Sequence, residues 1–369
     1  MVKTGLEGVV ATQSGISSIM NGVLTYRGIN IDELAEHASF EEVMYLLWNG
    51  DLPTAQQLTE LKKELAVQGV LPEEIISLLK SFPKDAHSMA ILRTVISALE
   101  MYDPQAYDMS LEANRRKALD IQAKISTVVA AIQRVKENKN ILSPKPEFSF
   151  SQNFLYMLNG KEPEEIAIKS LDTALVLHAD HELNASTFAS RVTVGTLANI
   201  YSGIVSAIST LSGPLHGGAN ESVMEMLEEI GEVENIEPYI YKALVDKKKI
   251  MGFGHRVYKS GDPRAKYLKN MAKKLTTLTG KSKFFDISVK IDEIITVEKG
   301  LLPNVDFYSA TTYHGLGIDK NLFTPIFAVS RTSGWTAHIL EQYSNNRLIR
   351  PRAEYIGPQL RHYVPVEHR

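Results

Sequence analysis

The chain of 369 residues contains no cysteine. That excludes disulfides, cysteine-ligated zinc or iron–sulfur centres, and thiol nucleophiles. It also lacks an uninterrupted apolar run near the ~20 residues a spanning helix needs. Its most apolar stretch, 192–211, is broken by Gly195, Asn199, Ser202 and Gly203, and reads as a buried helix rich in small residues. The opening MVKTGLEGVV has no basic region followed by an apolar one, so no signal peptide is expected and a cytoplasmic location is the default. A strong excess of one charge sign is missing too. The formal net charge of -3 argues against a general polyanion binder such as a nucleic-acid protein, and leaves room only for a local basic site. Strand signals are few and do not alternate with helices, which argues against a doubly wound sheet. No repeat of roughly 30–45 residues is found, which disfavours a helical solenoid.

What is present is mostly helix around a large core, with 44% hydrophobic and 22% charged residues. The length suggests roughly two domains. Ser39-Phe40-Glu41-Glu42 is a capping-box pattern, followed by buried-face positions Val43, Met44, Leu46 and Leu47 and stopped by Gly50. Thr54 caps a second helix ending by Gly69, and Pro72 opens a third. Helical spacing runs over 111–139. Further helices are expected over 163–183, 186–211, 221–230, 236–247, 263–275, 282–298 and 333–344. Residues 9–13 and 22–26 form a small β element around Asn21-Gly22, a hairpin dipeptide. The stretch 138–151, with Pro144 and Pro146, is a loop. Turn-rich flanks mark a smaller unit over 217–310, inside a larger one comprising 1–216 and 311–369.

Three glycine- or proline-rich turns each present one ionisable residue: LSGPLHGGAN (211–220) with His216, GFGHRVYKSGDPR (252–264) with His255, and PNVDFYSA (303–310) with Asp306. Glycine lets a backbone approach a ligand closely. Histidine titrates near neutrality and a carboxylate can take a proton, so the set suits acid–base chemistry. Asp306, between Val305 and Phe307, has apolar neighbours that would raise its pKa; the alternative is a cap for a helix starting near Ser309. GFGH is not a dinucleotide fingerprint, having no G-x-G-x-x-G and no preceding strand. The basic residues after it begin on a loop, which suits cofactor phosphates; the alternative is a solvated helix face. His178 and His181 share a helical face but match no zinc motif, so metal binding is disfavoured. Arg264, Arg331 and Arg350 lie at loops or helix ends and suit bidentate carboxylate recognition.

Together LHADHELNAS, LSGPLHGGAN, GFGHRVYKSGDPR and PNVDFYSA, in this order and spacing, resemble citrate synthase. Tyr26-Arg27-Gly28, the segment from His87 to Thr94, Arg331 and Arg350-Pro351 extend the resemblance over essentially the whole chain. Ser88 departs from it, standing where many relatives have proline.

The resemblance implies a mainly α, two-domain helical fold with a small N-terminal β element, assembled as a homodimer. It implies condensation of acetyl-CoA with oxaloacetate and hydrolysis of the resulting citryl thioester, with no permanently bound cofactor. Asp306 resembles the base, His216 the donor to the thioester oxygen, and His255 the acid at the oxaloacetate carbonyl. His181, Arg264 and Arg331, with Arg350 from the partner subunit, resemble the carboxylate-binding set. Ile250, Met251, Gly252, Phe253 and Gly254 resemble the segment that recognises the adenine of coenzyme A, and Lys259 a phosphate contact. The chain resembles the short type of the family, for which no NADH inhibition is expected. A 2-methylcitrate synthase using propionyl-CoA is the near alternative. A non-catalytic helical interaction protein is the remote one.

Overall fold

Asn21 and Gly22 take positive φ, 53° and 79°. Those angles suit a two-residue hairpin turn matched to the strand twist. The turn folds β1 (Ser17–Met20) onto β2 (Val23–Tyr26), and β3 (Ile29–Asn30) completes the antiparallel sheet. The tight turn dictates the register: Met20 faces Val23 and Ser17 faces Tyr26. This corrects the expected strand at 9–13, which is too far from Asn21 to pair and lies outside any strand. The computed structural model describes residues 4–6, 8–254, 258 and 261–369.

The remaining architecture is helical. It comprises α1 (Ile31–His37), α2 (Phe40–Asn49), α3 (Ala55–Gln68), α4 (Glu73–Ser81), α5 (Ser88–Leu99), α6 (Leu111–Lys136), α7 (Phe150–Asn159) and α8 (Glu165–His178). Then follow α9 (Ala185–Val194), α10 (Ile200–Leu211), α11 (Ala219–Ile230), α12 (Ile236–Val245), α13 (Ala265–Thr279), α14 (Lys283–Lys299), α15 (Val305–Gly315) and α16 (Phe323–Ser344). The mainly α expectation therefore holds. Both expected starts are true capping boxes, Ser39 with Glu42 and Thr54 with Gln57. Gly50 ends α2 in the left-handed region at φ 94°.

Most expected helices shift by a few residues at an end, and three differ more substantially. The 163–183 helix stops at His178, because the Tyr26 hydroxyl takes over the chain end: it accepts from Asp180 N–H at 3.2 Å and donates to Asp180 C=O at 3.0 Å. The 186–211 helix is two, α9 and α10. Leu197 turns left-handed at φ 66° and Asn199 caps the second piece through Ser202 N–H at 3.1 Å. The last helix begins ten residues before Ser333, at Phe323, since its apolar and small residues are buried all round and show no one-sided period. The 138–151 loop ends where Ser149 caps α7.

The core is built on α16, which is buried over nearly its whole length and packs against α6, α9, α10 and α8. Trp335 at its centre is fully buried. On the other side, α13 packs along α15, with α11 and α14 beside them. Among the described residues, no helix is long and apolar enough to cross a membrane.

Candidate active site

His216 sits in the turn between α10 and α11. Gly217 makes that turn possible, since a Cβ there would lie 2.5 Å from Leu211 Cγ. Its N–H instead closes on Leu211 C=O at 2.9 Å. His216 Nε2 lies 2.7 Å from Ser186 Oγ and receives Ser186 N–H at 3.3 Å. A backbone N–H can only donate, so Nε2 is the acceptor and the ring proton is on Nδ1. Trp335 Nε1 donates to the same Ser186 oxygen at 3.1 Å, tying the turn to α16. Burial, helped by the Arg331 charge, holds the imidazole down at about 4, so it is neutral at physiological pH.

Asp306 lies in the first turn of α15. The helix begins at Val305, with Asn304 as its cap through Asp306 N–H at 3.0 Å. This corrects the alternative in which Asp306 caps a helix near Ser309: the cap is Asn304, and the Asp306 carboxylate is left for other work. Burial pushes that carboxylate up to about 6, against the pull of Arg264.

The segment before His255 is held beside Asp306. Gly254 N–H donates to Leu302 C=O at 3.0 Å, and Asn304 N–H to Gly252 C=O at 2.9 Å. Gly252 is at φ 81°, and a Cβ there would stand 2.8 Å from Phe307 Cβ, so backbone angle and space both demand glycine. Ile250 and Phe253 are buried and Met251 is partly so. His255 and Lys259 lie outside the described residues.

Arg264 and Arg331 form the charged centre. Asp262 grips Arg264 by two bonds, Nε to Oδ1 at 2.9 Å and Nη2 to Oδ2 at 2.8 Å. Burial disfavours the Arg264 charge, but Asp262 outweighs it and the pKa is raised. Asp262 Oδ2 also accepts Val305 N–H at 3.1 Å, so one carboxylate joins Arg264 to the helix of Asp306. Arg331 donates from Nε to His178 C=O at 2.7 Å, and its guanidinium lies over the Phe327 ring. Burial lowers it to about 10, Asp180 being the largest opposing influence. Among the described residues, Arg264 Nη1 and both Nη atoms of Arg331 have no hydrogen-bond partner. Two buried guanidiniums with unused planar donors have the chemistry that suits bidentate carboxylate recognition.

His181 joins this group through Tyr258, with Nε2 3.1 Å from the phenol oxygen, and the Tyr258 ring faces Arg264. His178 donates Nδ1–H to Ala174 C=O at 2.7 Å and burial holds it near 3, so it is a neutral core residue beside the arginines. Among the described residues, no group of three or more histidine, aspartate or glutamate side chains could hold a metal. Arg350 is apart from all of these. It is exposed on the C-terminal arm and borders a cleft of about 760 Å³ with Arg191 and Glu341.

Sequence reasoning passed over Ser186, Trp335, Tyr258, Asp262 and Asp180. Asp262, two residues before Arg264 in GDPR, carried a usable signal. Asp180 is fully buried, bonded to Ser17 Oγ and to His338 Nε2, and stands 158 positions from His338. No local pattern announces such a pair.

Comparison with known proteins shows the family of the chain. The family profile described as "Citrate synthase, C-terminal domain" matches residues 5–352. The chain belongs to the citrate synthase family. It is 59% identical to "Citrate synthase 2" of Bacillus subtilis (strain 168), over 99% of this chain and 98% of that protein. It is 46% identical to the citrate synthase of Deinococcus radiodurans, over 100% and 99% of the two chains. The 2-methylcitrate synthase 2 of Corynebacterium glutamicum is more distant, at 39% over 100% and 98%. A solved ternary complex of carboxymethyl coenzyme A and oxaloacetate with citrate synthase, from the thermophilic archaeon Thermoplasma acidophilum, superimposes with a TM-score of 0.94. That protein is 34% identical, over 100% and 99% of the two chains. Members of this family are acyltransferases, and this chain is one by membership.

Proposed function

We propose that this site condenses acetyl-CoA with oxaloacetate and hydrolyses the product thioester to citrate and coenzyme A. The observation that carries the reading is the convergence of three features: a carboxylate lifted to about 6, a neutral imidazole, and two buried arginines, with His216 Nδ1–H and the arginine Nη donors unspent among the described residues. Asp306 removes a methyl proton from acetyl-CoA. His216 donates Nδ1–H to the thioester oxygen as negative charge develops there, without which so weak a carbon acid would not yield its proton. The enol carbon then attacks the oxaloacetate carbonyl carbon, whose oxygen takes a proton from His255. Water cleaves the carbon–sulfur bond of the citryl thioester, and coenzyme A leaves as its thiol.

Arg264 and Arg331 hold the oxaloacetate carboxylates together with His181 and with Arg350 contributed by a partner subunit in a homodimer. The backbone of Ile250, Met251, Gly252, Phe253 and Gly254 receives the adenine, and Lys259 a phosphate. A smaller unit, 217–310, closes over a larger one, 1–216 with 311–369, and excludes water until the carbon–carbon bond is made.

The test is oxaloacetate-dependent release of coenzyme A, followed with a thiol reagent. The chain has no cysteine to contribute background. Acetyl-CoA is expected to be used at least tenfold better than propionyl-CoA in kcat/KM. Preference for propionyl-CoA would reassign the substrate, and no release with either would defeat the enzymatic reading.

A further inference from the structure

His181 lies in the turn between α8 and α9, and both its chain neighbours are gripped by the N-terminal sheet. Ser17 of β1 donates its hydroxyl proton to Asp180 Oδ2 and accepts Glu182 N–H at 2.9 Å. One hydroxyl thus bridges the residue before His181 and the residue after it. Ser17 faces Tyr26 in the strand register, and directly opposed residues put their side chains on one face of a sheet. The Tyr26 hydroxyl binds the main chain of the same Asp180. The Asn21-Gly22 turn sets that register, so the hairpin delivers two hydroxyls to one turn. A slip of one residue would send Ser17 to the other face.

The conformation of Glu182 gives the grip its reason. Its φ is 48°, in the left-handed region that residues other than glycine seldom adopt. Such a conformation persists where the surroundings over-determine it. Here Ser17 holds the Glu182 N–H, and Ile19 N–H donates to Glu182 Oε1 at 2.8 Å. β1 is an edge of its sheet, so that carboxylate also covers a strand donor which β2 does not pair. From the opposite side α16 holds the same turn. Arg331 Nε donates to His178 C=O at 2.7 Å, and His338 Nε2 stands 3.2 Å from Asp180 Oδ2. A Cβ on Gly334 would collide with Asp180 Oδ1, so glycine lets the helix come this close. From this fixed backbone the His181 ring reaches Tyr258, with Nε2 3.1 Å from the phenol oxygen.

We propose that Ser17 is a positioning residue for His181, its hydroxyl locking the left-handed turn that aims the imidazole at an oxaloacetate carboxylate. This rests on the reading of His181 as an oxaloacetate ligand. Without the hydroxyl, the buried Asp180 carboxylate loses a donor and Glu182 N–H loses its acceptor. The turn then relaxes away from its left-handed angle and carries the imidazole with it. A displacement of about 1 Å is enough to spoil the alignment of a binding group.

The test compares Ser17→Ala with Ser17→Thr, which keeps the hydroxyl and suits a strand. Oxaloacetate binding is measured alone by calorimetry, and both KM values by coenzyme A release. S17A should weaken oxaloacetate binding and raise its KM roughly tenfold, the size of one lost hydrogen bond to a charged group. The KM for acetyl-CoA should stay level, and S17T should restore oxaloacetate binding. In a His181→Ala background, adding S17A should cost nothing further, because no imidazole is left to aim. Unchanged oxaloacetate binding in S17A overturns the proposal. So does an equal further loss in the H181A background. An S17A chain that fails to fold, or one whose two KM values rise together, makes the hydroxyl merely structural and overturns it as well. His181→Ala separates the two levels. If it binds oxaloacetate as wild type does, His181 has been misassigned and the role of Ser17 falls with it. If H181A weakens binding while S17A does not, only the Ser17 proposal falls.

Discussion

Moving a carboxylate from water into the first turn of α15, among Val305, Phe307 and Tyr308, disfavours its charged form and so raises its proton affinity. Asp306 is lifted from 3.8 to about 6 in this way. The folded state then holds a proton that the unfolded chain has already released between those two values. The group's contribution to stability is therefore greatest below about pH 4 and falls as pH rises through 6. Asp306→Asn removes that penalty, and is expected to stabilise the protein by about 1–3 kcal/mol at pH 8, with a smaller gain at pH 5. Thermal melts at the two pH values check it. Activity should fall below a hundredth of wild type in the same variant, and the wild-type acid limb should lie near pH 6. A variant that is less stable at pH 8 would contradict the burial argument, whatever its activity.

Between elements, a buried pair of acids ties three helices together. Asp172 of α8 accepts Phe40 N–H, at the start of α2, at 3.3 Å and Ser151 Oγ–H, in α7, at 2.8 Å. Glu41 of α2 accepts Phe150 N–H, at the start of α7, at 2.9 Å. Each carboxylate thus covers the exposed N–H end of a neighbouring helix, where negative charge is favoured. Burial and the nearby Glu41 push Asp172 up to about 7, against the hydrogen bonds from Ser151 and Phe40 and the charge of Lys169. The sign is again that of a raised acid: stability is lost as pH rises from about 4 through 7. Asp172→Asn keeps an acceptor oxygen for both donors and cannot ionise. Its melting temperature should exceed wild type by more at pH 8 than at pH 5. An equal shift at both would mean the pair's charge is compensated elsewhere.

The same scale shows which features were legible in the sequence. Capping boxes, the Asn-Gly turn and the amphipathic helices are local: a few adjacent residues satisfy each other, so the pattern and the structure coincide. The turns holding His216 and Asp306 were legible because glycine and proline at those positions answer steric demands. The break at Gly195–Asn199 was not, because the apolar residues on either side continue a helical period that only the left-handed Leu197 interrupts. Nor was the early start of α16, whose burial on all sides erases periodicity. Long-range polar pairs such as Ser186 with His216 and Asp180 with His338 leave no trace in spacing.

For the molecule as a whole, the C-terminal arm is the unsolved surface of a single copy. Every residue from Pro351 to Arg369 is exposed. Tyr355, Ile356, Leu360 and Tyr363 are each more than 75% exposed. A run of such side chains in water is unfavourable, and a partner that covers them is the ordinary remedy. A second copy covering the arm would also carry Arg350 away from its own exposed cleft and deliver it to a carboxylate site on the other chain. Each active site would then need Arg264, Arg331 and Asp306 from one chain and Arg350 from the other. Arg350→Ala and Asp306→Ala homodimers should each be nearly inactive. Unfolded, mixed and refolded together in equal amounts, they should yield half their molecules as mixed dimers. In those dimers one site carries both defects and the other carries neither. Recovery of about a quarter of wild-type activity is expected from that statistic, measured by coenzyme A release after the mixed dimers are counted by native mass spectrometry. Mixed dimers that form but stay inactive would show that each chain completes its own site, and the arm would then serve assembly alone.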